Sequence, residues 1–144
     1  MPPAKGSAEW KGDLRSGSGT FSAGDGSIHG DYSFKSRFED GPGANPEQLI
    51  AAAHASCFSM ALSNMLAEAG NPPDSVQTSA TVTLRPVDGK PTIASIALST
   101  VGVVPGLDEA AFVEIAEAAK AGCPVSRALA GVPEITLEAS LQAG

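Results

Sequence analysis

The sequence predicts an α+β fold in which largely antiparallel sheets surround one long buried helix. Three observations carry this reading. Short alternating apolar stretches, broken by glycine-rich turns, fill residues 6–38 and return after residue 75. A single strongly capped helical pattern separates the two β regions and is apolar around nearly its whole circumference. Of 144 residues, 42% are hydrophobic and 17% charged, a balance that suits one globular domain spanning residues 1–144 with a real core.

Taken in order, residues 6–38 read as β, with Gly12, Asp13, Gly17, Gly19, Gly24, Asp25, Gly26 and Gly30 supplying turns. The clearest strand is Tyr32–Phe38, which places Tyr32, Phe34 and Phe38 on one face and Lys35 and Arg37 on the other. Gly and Ser crowd residues 16–27 as hairpin turns, and Asp40-Gly41-Pro42-Gly43 forms another turn. Asn45-Pro46-Glu47-Gln48 is a helix start: Asn caps, Pro suits the first helical position, and Glu favours the positive end of the dipole. The helix runs to about Ala69, where Gly70 stops it and Pro72-Pro73 prevents a restart. A helix apolar all round is buried all round, by sheets of its own chain or by a partner subunit.

Beyond it, Val76, Thr78, Ala80, Val82 and Leu84 share one face of a strand, and Pro86-Val87-Asp88-Gly89 turns the chain into a second strand from Ile93 to Val104. Leu107–Ala121 reads as a helix with Phe112, Ile115, Ala116 and Ala119 inward, ended by Gly122. Cys123-Pro124 opens a short helical turn to about Ala130, closed by Gly131, and Ile135, Leu137, Ala139 and Leu141 make a final alternating strand.

The net charge of −7 argues against nucleic acid and anionic membranes as partners. The segment Ala51–Met65 is interrupted by His54, three serines and Asn64, and is short for a membrane span. The N-terminal MPPAKGSAEWKGD lacks the apolar segment of a secretory signal, so the chain is read as soluble and cytoplasmic. Two cysteines in that compartment point to redox chemistry rather than a structural staple. With no Cys-x-x-Cys, and only His29 and His54 as histidines, no metal site is expected.

The two thiols differ. Cys123 stands at a helix N-cap, where free N–H groups and the dipole favour thiolate. Cys57 sits mid-helix among apolar residues, where burial raises a thiol pKa; alone it reads as a small core hydrophobe. A reactive Cys57 needs a cation: at 4 Å and an effective dielectric near 20 one contributes about 4 kcal/mol. Arg37 is the first candidate, with Arg15, Arg85 and Arg127 as rivals, and Glu47 could orient the arginine. Glu47 lies about 15 Å up the helix axis from Cys57, too far to touch it directly; alone it reads as a dipole residue. His54, three residues before Cys57, reads as a hydrogen-bonded histidine packed inside rather than the base of a Cys–His pair. Gly17-Ser18-Gly19 has no helix or Gly-Lys-Ser/Thr after it and reads as a β-turn.

Four segments together closely resemble the OsmC/Ohr family, nearest its OsmC branch: Arg37-Phe38-Glu39, Asn45 to Ile50, Ala52 to Leu62 around Cys57, and Lys120 to Ser126 around Gly122-Cys123-Pro124. The resemblance implies an OsmC-like intertwined homodimer with two sites at the subunit interface. It implies a thiol-dependent peroxidase, active in oxidative and osmotic stress, that reduces organic hydroperoxides to alcohols. Cys57 occupies the position of the peroxidatic cysteine and Cys123 that of the resolving one, with Arg37 and Glu47 in the places of the family's arginine and glutamate. An earlier loop can supply that arginine in the wider family, which would point to Arg15; the Ser-Arg-Phe-Glu context favours Arg37. The expected course is a Cys57 sulfenic acid, then a Cys57–Cys123 disulfide, then reduction by an external dithiol or dihydrolipoyl protein, with no cofactor. Phe34, Phe38, Phe58, Met60 and Met65 are expected to wall an apolar pocket at Cys57. Local electrostatics favours Cys123 as the more acidic thiol, and an arginine clamp would reverse that order. The competing readings are a thiol–disulfide redox sensor, a non-catalytic module for apolar ligands, and a purely structural dimer.

Overall fold

A computed structural model of the chain describes Met1–Gly144 and shows a mixed α+β architecture with two three-stranded sheets. The chain divides into two compact units, Met1–Leu49 and Ile50–Gly144.

In the first unit β1 (Gly6–Lys11), β2 (Ser18–Ala23) and β3 (Ile28–Tyr32) form an antiparallel meander in chain order. The β1–β2 turn is held by Asp13, whose carboxylate accepts from the Arg15 and Ser16 N–H groups at 2.9 and 2.8 Å and from the Ser16 hydroxyl at 2.6 Å. Gly19 pairs with both Trp10 and Tyr32 across the sheet. A Cβ there would stand 2.5 Å from the Tyr32 ring and 2.7 Å from the Trp10 ring, so glycine is what lets the two aromatics close over the strand.

The expected strand over Tyr32–Phe38 is corrected: β3 ends at Tyr32 and Phe34–Phe38 is a short helix, α1. Its cause is the Ser-x-x-Ser spacing. Ser33 accepts from the Ser36 N–H at 3.1 Å and the Ser36 hydroxyl accepts from the Ser33 N–H at 2.8 Å, a reciprocal cap that outweighs the alternating pattern. Phe34 and Phe38, four residues apart, become neighbours on one helix face, their tilted rings having centroids 5.0 Å apart.

Helix α2 (Pro46–Glu68) begins as expected, Asn45 Oδ1 accepting from the Gln48 N–H at 2.9 Å, and ends before Gly70, whose φ of 90° places it in the left-handed region. Its 23 residues match the expected run from Pro46 to about Ala69, and the whole helix, unlike the Ala51–Met65 stretch judged short for a span, is long and apolar enough to cross a bilayer. Its inward stripe instead enters a protein core.

The second unit holds β4 (Ser75–Val87), β5 (Lys90–Val103) and β6 (Glu134–Leu141), in the order β4-β5-β6. The β4–β5 hairpin is tighter than the four-residue turn expected: Val87 pairs with Lys90 across Asp88-Gly89, whose φ values of 52° and 77° suit a two-residue hairpin. β6 pairs parallel to β5, the one parallel pairing among the four. The crossover that a parallel pair requires is α3 (Glu109–Gly122), capped by Asp108, followed by α4 (Pro124–Ala128). One core joins Phe58, Leu62 and Leu66 of α2 to Leu98, Val104, Phe112, Ala116, Ala119 and Cys123. Gly102 sits directly under Phe112, where a Cβ would come within 2.7 Å of the ring. All-round burial of α2 does not occur within one chain: the stripe Ala52, Ala53, Ser56, Met60 and Asn64 is exposed, Met60 at 76%. One sheet and one helix cover only one side of it.

Candidate functional site

The sequence-derived residues fall into two clusters, one in each unit. In the first, α1 and the start of α2 are tied together through Ser36 and Asn45. The Ser36 hydroxyl donates to the Ala44 carbonyl at 2.7 Å, and Asn45 Nδ2 donates to the Ser36 carbonyl at 2.8 Å. That frame aims Arg37 at Glu47. Arg37 Nη2 donates to Glu47 Oε1 at 2.8 Å, and Nε reaches Oε1 and Oε2 at 3.2 and 3.3 Å. Glu47 is nearly buried while the Arg37 side chain is 36% exposed, so the carboxylate anchors and the guanidinium keeps an open face. Glu47 is therefore more than a dipole residue. Of the rival arginines, Arg15 lies 5.0 Å over the Phe34 ring, and Arg15, Arg85 and Arg127 form no ion pair.

Beside Arg37 lies a groove of about 380 Å³ lined by Trp10, Leu14, Tyr32, Phe34, Arg37 and Phe38. Phe34 and Phe38 wall this groove, but it is not the pocket expected at Cys57: Cys57 does not line it, nor do the other three proposed walls. Phe58 is wholly buried in the core, Met65 packs partly against that core, and Met60 points outward. Trp10, Leu14 and Tyr32 were missed by sequence reasoning. A glycine set between two aromatics in cross-strand register was the signal that would have found Trp10 and Tyr32.

The second cluster holds both thiols. Cys57 lies half-buried on α2, and Cys123 is fully buried at the N-cap of α4. Both are free, and Cys57 packs against the core cluster that holds Cys123, close enough for the two thiols to influence each other. Burial pushes the Cys57 thiol up, the Cys123 thiol pushes it further, and the Val125 N–H offsets only part of this. Burial also pushes Cys123 up, but the Ser126 N–H, the Cys57 thiol, the Val125 N–H and the Ser126 hydroxyl together bring it below its ordinary value. No N–H makes a well-aligned cap bond to the Cys123 side chain, so no single donor accounts for the lowering. The order of acidity is the one the N-cap position suggested.

His54 is packed inside, as expected. It is fully buried, its Nε2 lies 2.6 Å from the Ser126 hydroxyl, and its Nδ1 has no partner. Burial holds the imidazole below the ordinary 6.5. The unfolded chain therefore takes up the proton at a higher pH than the folded one, so stability is full above about 6.5 and falls as pH drops below it. The urea midpoint is expected to be lower at about pH 5.5 than at about pH 7.5, and His54→Gln to shrink that difference. An unchanged difference in the variant would place the acid sensitivity elsewhere.

A family model described as OsmC-like protein matches residues 39–138. The chain is 50% identical over 139 residues to Peroxiredoxin OsmC of Escherichia coli (strain K12), covering 96% of each chain, and equally to Peroxiredoxin OsmC of Shigella flexneri. Among solved structures it resembles the organic hydroperoxide resistance protein OhrB of Bacillus subtilis, with a TM-score of 0.70 and 26% identity over 97% of this chain and 98% of that one. It shares the fold of an organic hydroperoxide resistance protein OsmC from Legionella pneumophila, with a TM-score of 0.72 and 23% identity over 94% of this chain and 96% of that one.

Proposed function

The chain belongs to the OsmC family of peroxide-reducing redox enzymes, and from that premise we propose that it reduces organic hydroperoxides to alcohols through Cys57 and Cys123. The observation that carries this reading is the pair of neighbouring free thiols, one on α2 and one at the N-cap of α4.

In this reading the Cys57 thiolate attacks the terminal peroxide oxygen. An S–O bond forms, the O–O bond breaks, and the leaving alkoxide takes the proton that Cys57 has lost. Cys123 then displaces hydroxide from the Cys57 sulfenic acid, giving a disulfide and water. An external dithiol, a dihydrolipoyl protein among the candidates, returns two electrons and two protons. Arg37, oriented by Glu47, supplies the cation that an acidic Cys57 requires and donates to the peroxide oxygens as their bond breaks. The apolar groove beside Arg37 suits a bulky alkyl group. The enzyme works as a soluble cytoplasmic homodimer, the exposed, uncharged stripe of α2 being the face that meets a second copy, and its chemistry needs no metal, haem or flavin.

The test is stoichiometric. Reduced protein mixed with one equivalent of tert-butyl hydroperoxide is expected to lose both thiols, release tert-butanol and yield a chain two hydrogens lighter. Peroxide left unconsumed, with both thiols intact, would sink the proposal.

A further inference from the structure

We infer that Phe38 is a positioning residue for Arg37: its ring holds one face of the guanidinium while Glu47 holds an edge. The inference rests on the mechanism proposed above, in which Arg37 favours the Cys57 thiolate and donates to the peroxide oxygens. It gives a part to a residue placed so far only as a wall of the groove.

A guanidinium is planar, with five N–H groups around its rim and two bare faces. Glu47 takes one stretch of the Arg37 rim, through Nη2 at 2.8 Å and Nε at 3.2 and 3.3 Å. The guanidinium carbon lies over the Phe38 ring, 5.3 Å from its centre, within the range of a cation–π contact. Sequence adjacency does not produce this. Consecutive helical residues point about 100° apart and do not face each other. The Arg37 side chain must bend across the surface of α1 to bring its head over the next residue's ring. Phe38 is 39% exposed and lies outside the core cluster, so core packing does not account for an aromatic ring at this position. The ring is itself braced by Phe34, with centroids 5.0 Å apart. Arg15 lies over Phe34, one ring removed from Arg37.

The two contacts restrain different motions. A fork gripped along one edge can still rock out of the carboxylate plane, and a ring against one face blocks that rocking. The ring also does what a second carboxylate could not. It attracts the cation through its quadrupole, so it neither takes up the Nη1 donors nor cancels the charge that an acidic Cys57 requires. The free donors therefore stay available and keep one direction, which is what stabilising a breaking O–O bond demands.

Three measurements on the full-length chain test this. The first is hydrogen exchange of the Arg37 Nε–H, followed by NMR on protein carrying isotope-labelled arginine, its signal identified by its loss in Arg37→Met. Exchange is expected to quicken about two- to fivefold in Phe38→Leu, the loss of a cation–π contact at a partly exposed site. Phe38→Tyr, which restores the ring, is expected to exchange as the wild type does. The second is the second-order rate with tert-butyl hydroperoxide, expected to fall by a similar factor in Phe38→Leu and to recover in Phe38→Tyr. The third is Phe38→Leu added to Arg37→Met, expected to lower the rate no further, because a residue that acts only through Arg37 then has nothing left to hold. Equal exchange in Phe38→Leu and the wild type would overturn the inference. So would a loss of rate that is as large without Arg37 as with it, which would leave Phe38 a wall of the groove. A wild type that consumes no peroxide would sink the peroxidase reading instead; the exchange contrast between Phe38→Leu and Phe38→Tyr would then uphold the ring's grip on Arg37 or overturn it.

Discussion

Cys57→Ser is expected to leave tert-butyl hydroperoxide unconsumed in the presence of a dithiol donor, whatever the peroxide concentration. The reason is chemical rather than structural. A serine hydroxyl does not ionise at working pH and has no stable oxidised form corresponding to a sulfenic acid, so the first covalent step has no route. The site is half-buried, and exchanging sulfur for oxygen changes little volume, so the variant is expected to fold. Cys123→Ser is the informative companion: it is expected to consume one equivalent of peroxide and halt at a sulfenic acid that dimedone captures. Steady consumption by Cys57→Ser would transfer the attacking role to Cys123, whose environment already favours thiolate.

Arg37→Met is expected to lower the second-order rate with tert-butyl hydroperoxide by roughly 10²–10³-fold, the usual cost of losing a preorganised donor to a developing charge. Methionine keeps an unbranched stem of similar length, so what is removed is charge and hydrogen bonding. A second signature distinguishes this from damage to the fold. Burial and the neighbouring Cys123 both push the Cys57 thiol up; in the proposed mechanism Arg37 is the cation that favours the thiolate, so its removal is expected to move the rate-controlling ionisation to higher pH. The pH–rate midpoint of sulfenic acid formation is therefore expected to rise in Arg37→Met and to stay put in Arg15→Met. A midpoint that moves only in Arg15→Met would reassign the guanidinium to the earlier loop. Arg37→Lys is expected to recover part of the pH shift but little of the rate, because an ammonium is a point charge without the planar fork that grips Glu47.

Much of this was legible in the amino-acid order because local signals were strong and consistent. Asn45-Pro46 announced α2, Gly70 closed it, and Gly122-Cys123-Pro124 announced a break and a new helical turn with the thiol at its cap. Where the reading failed, two signals competed. Tyr32–Phe38 carries both a strand alternation and a serine capping box, and the four hydrogen bonds made by Ser33 and Ser36 side chains decide for the helix. The parallel course of β6 was not legible at all, since an alternating strand looks the same in either direction. The Arg37–Glu47 pair was readable only as a possibility, because the turn that brings residues ten apart together is built by Ser36 and Asn45 rather than by either partner. Likewise, the all-round apolarity of α2 was plain, but which faces find cover inside one chain depends on how few elements surround it.

The parallel course of β6 bears on the order of events during synthesis. Cys123 sits in a loop closed at both ends by sheet register: β5 before it, and β6 after it running from Glu134↔Ser95 to Leu141↔Gly102. Both cysteines leave the ribosome before residues 134–141 do, so for that interval neither the sheet nor the loop is complete. Long-range parallel pairing is slow to form, because the loop entropy is spent before the contacts are made. A nascent chain arrested before Glu134 thus carries the two sulfurs without the frame that sets them side by side. Arrest just past Leu141, with enough further chain to clear the tunnel, is the first point at which one peroxide should join them within the chain.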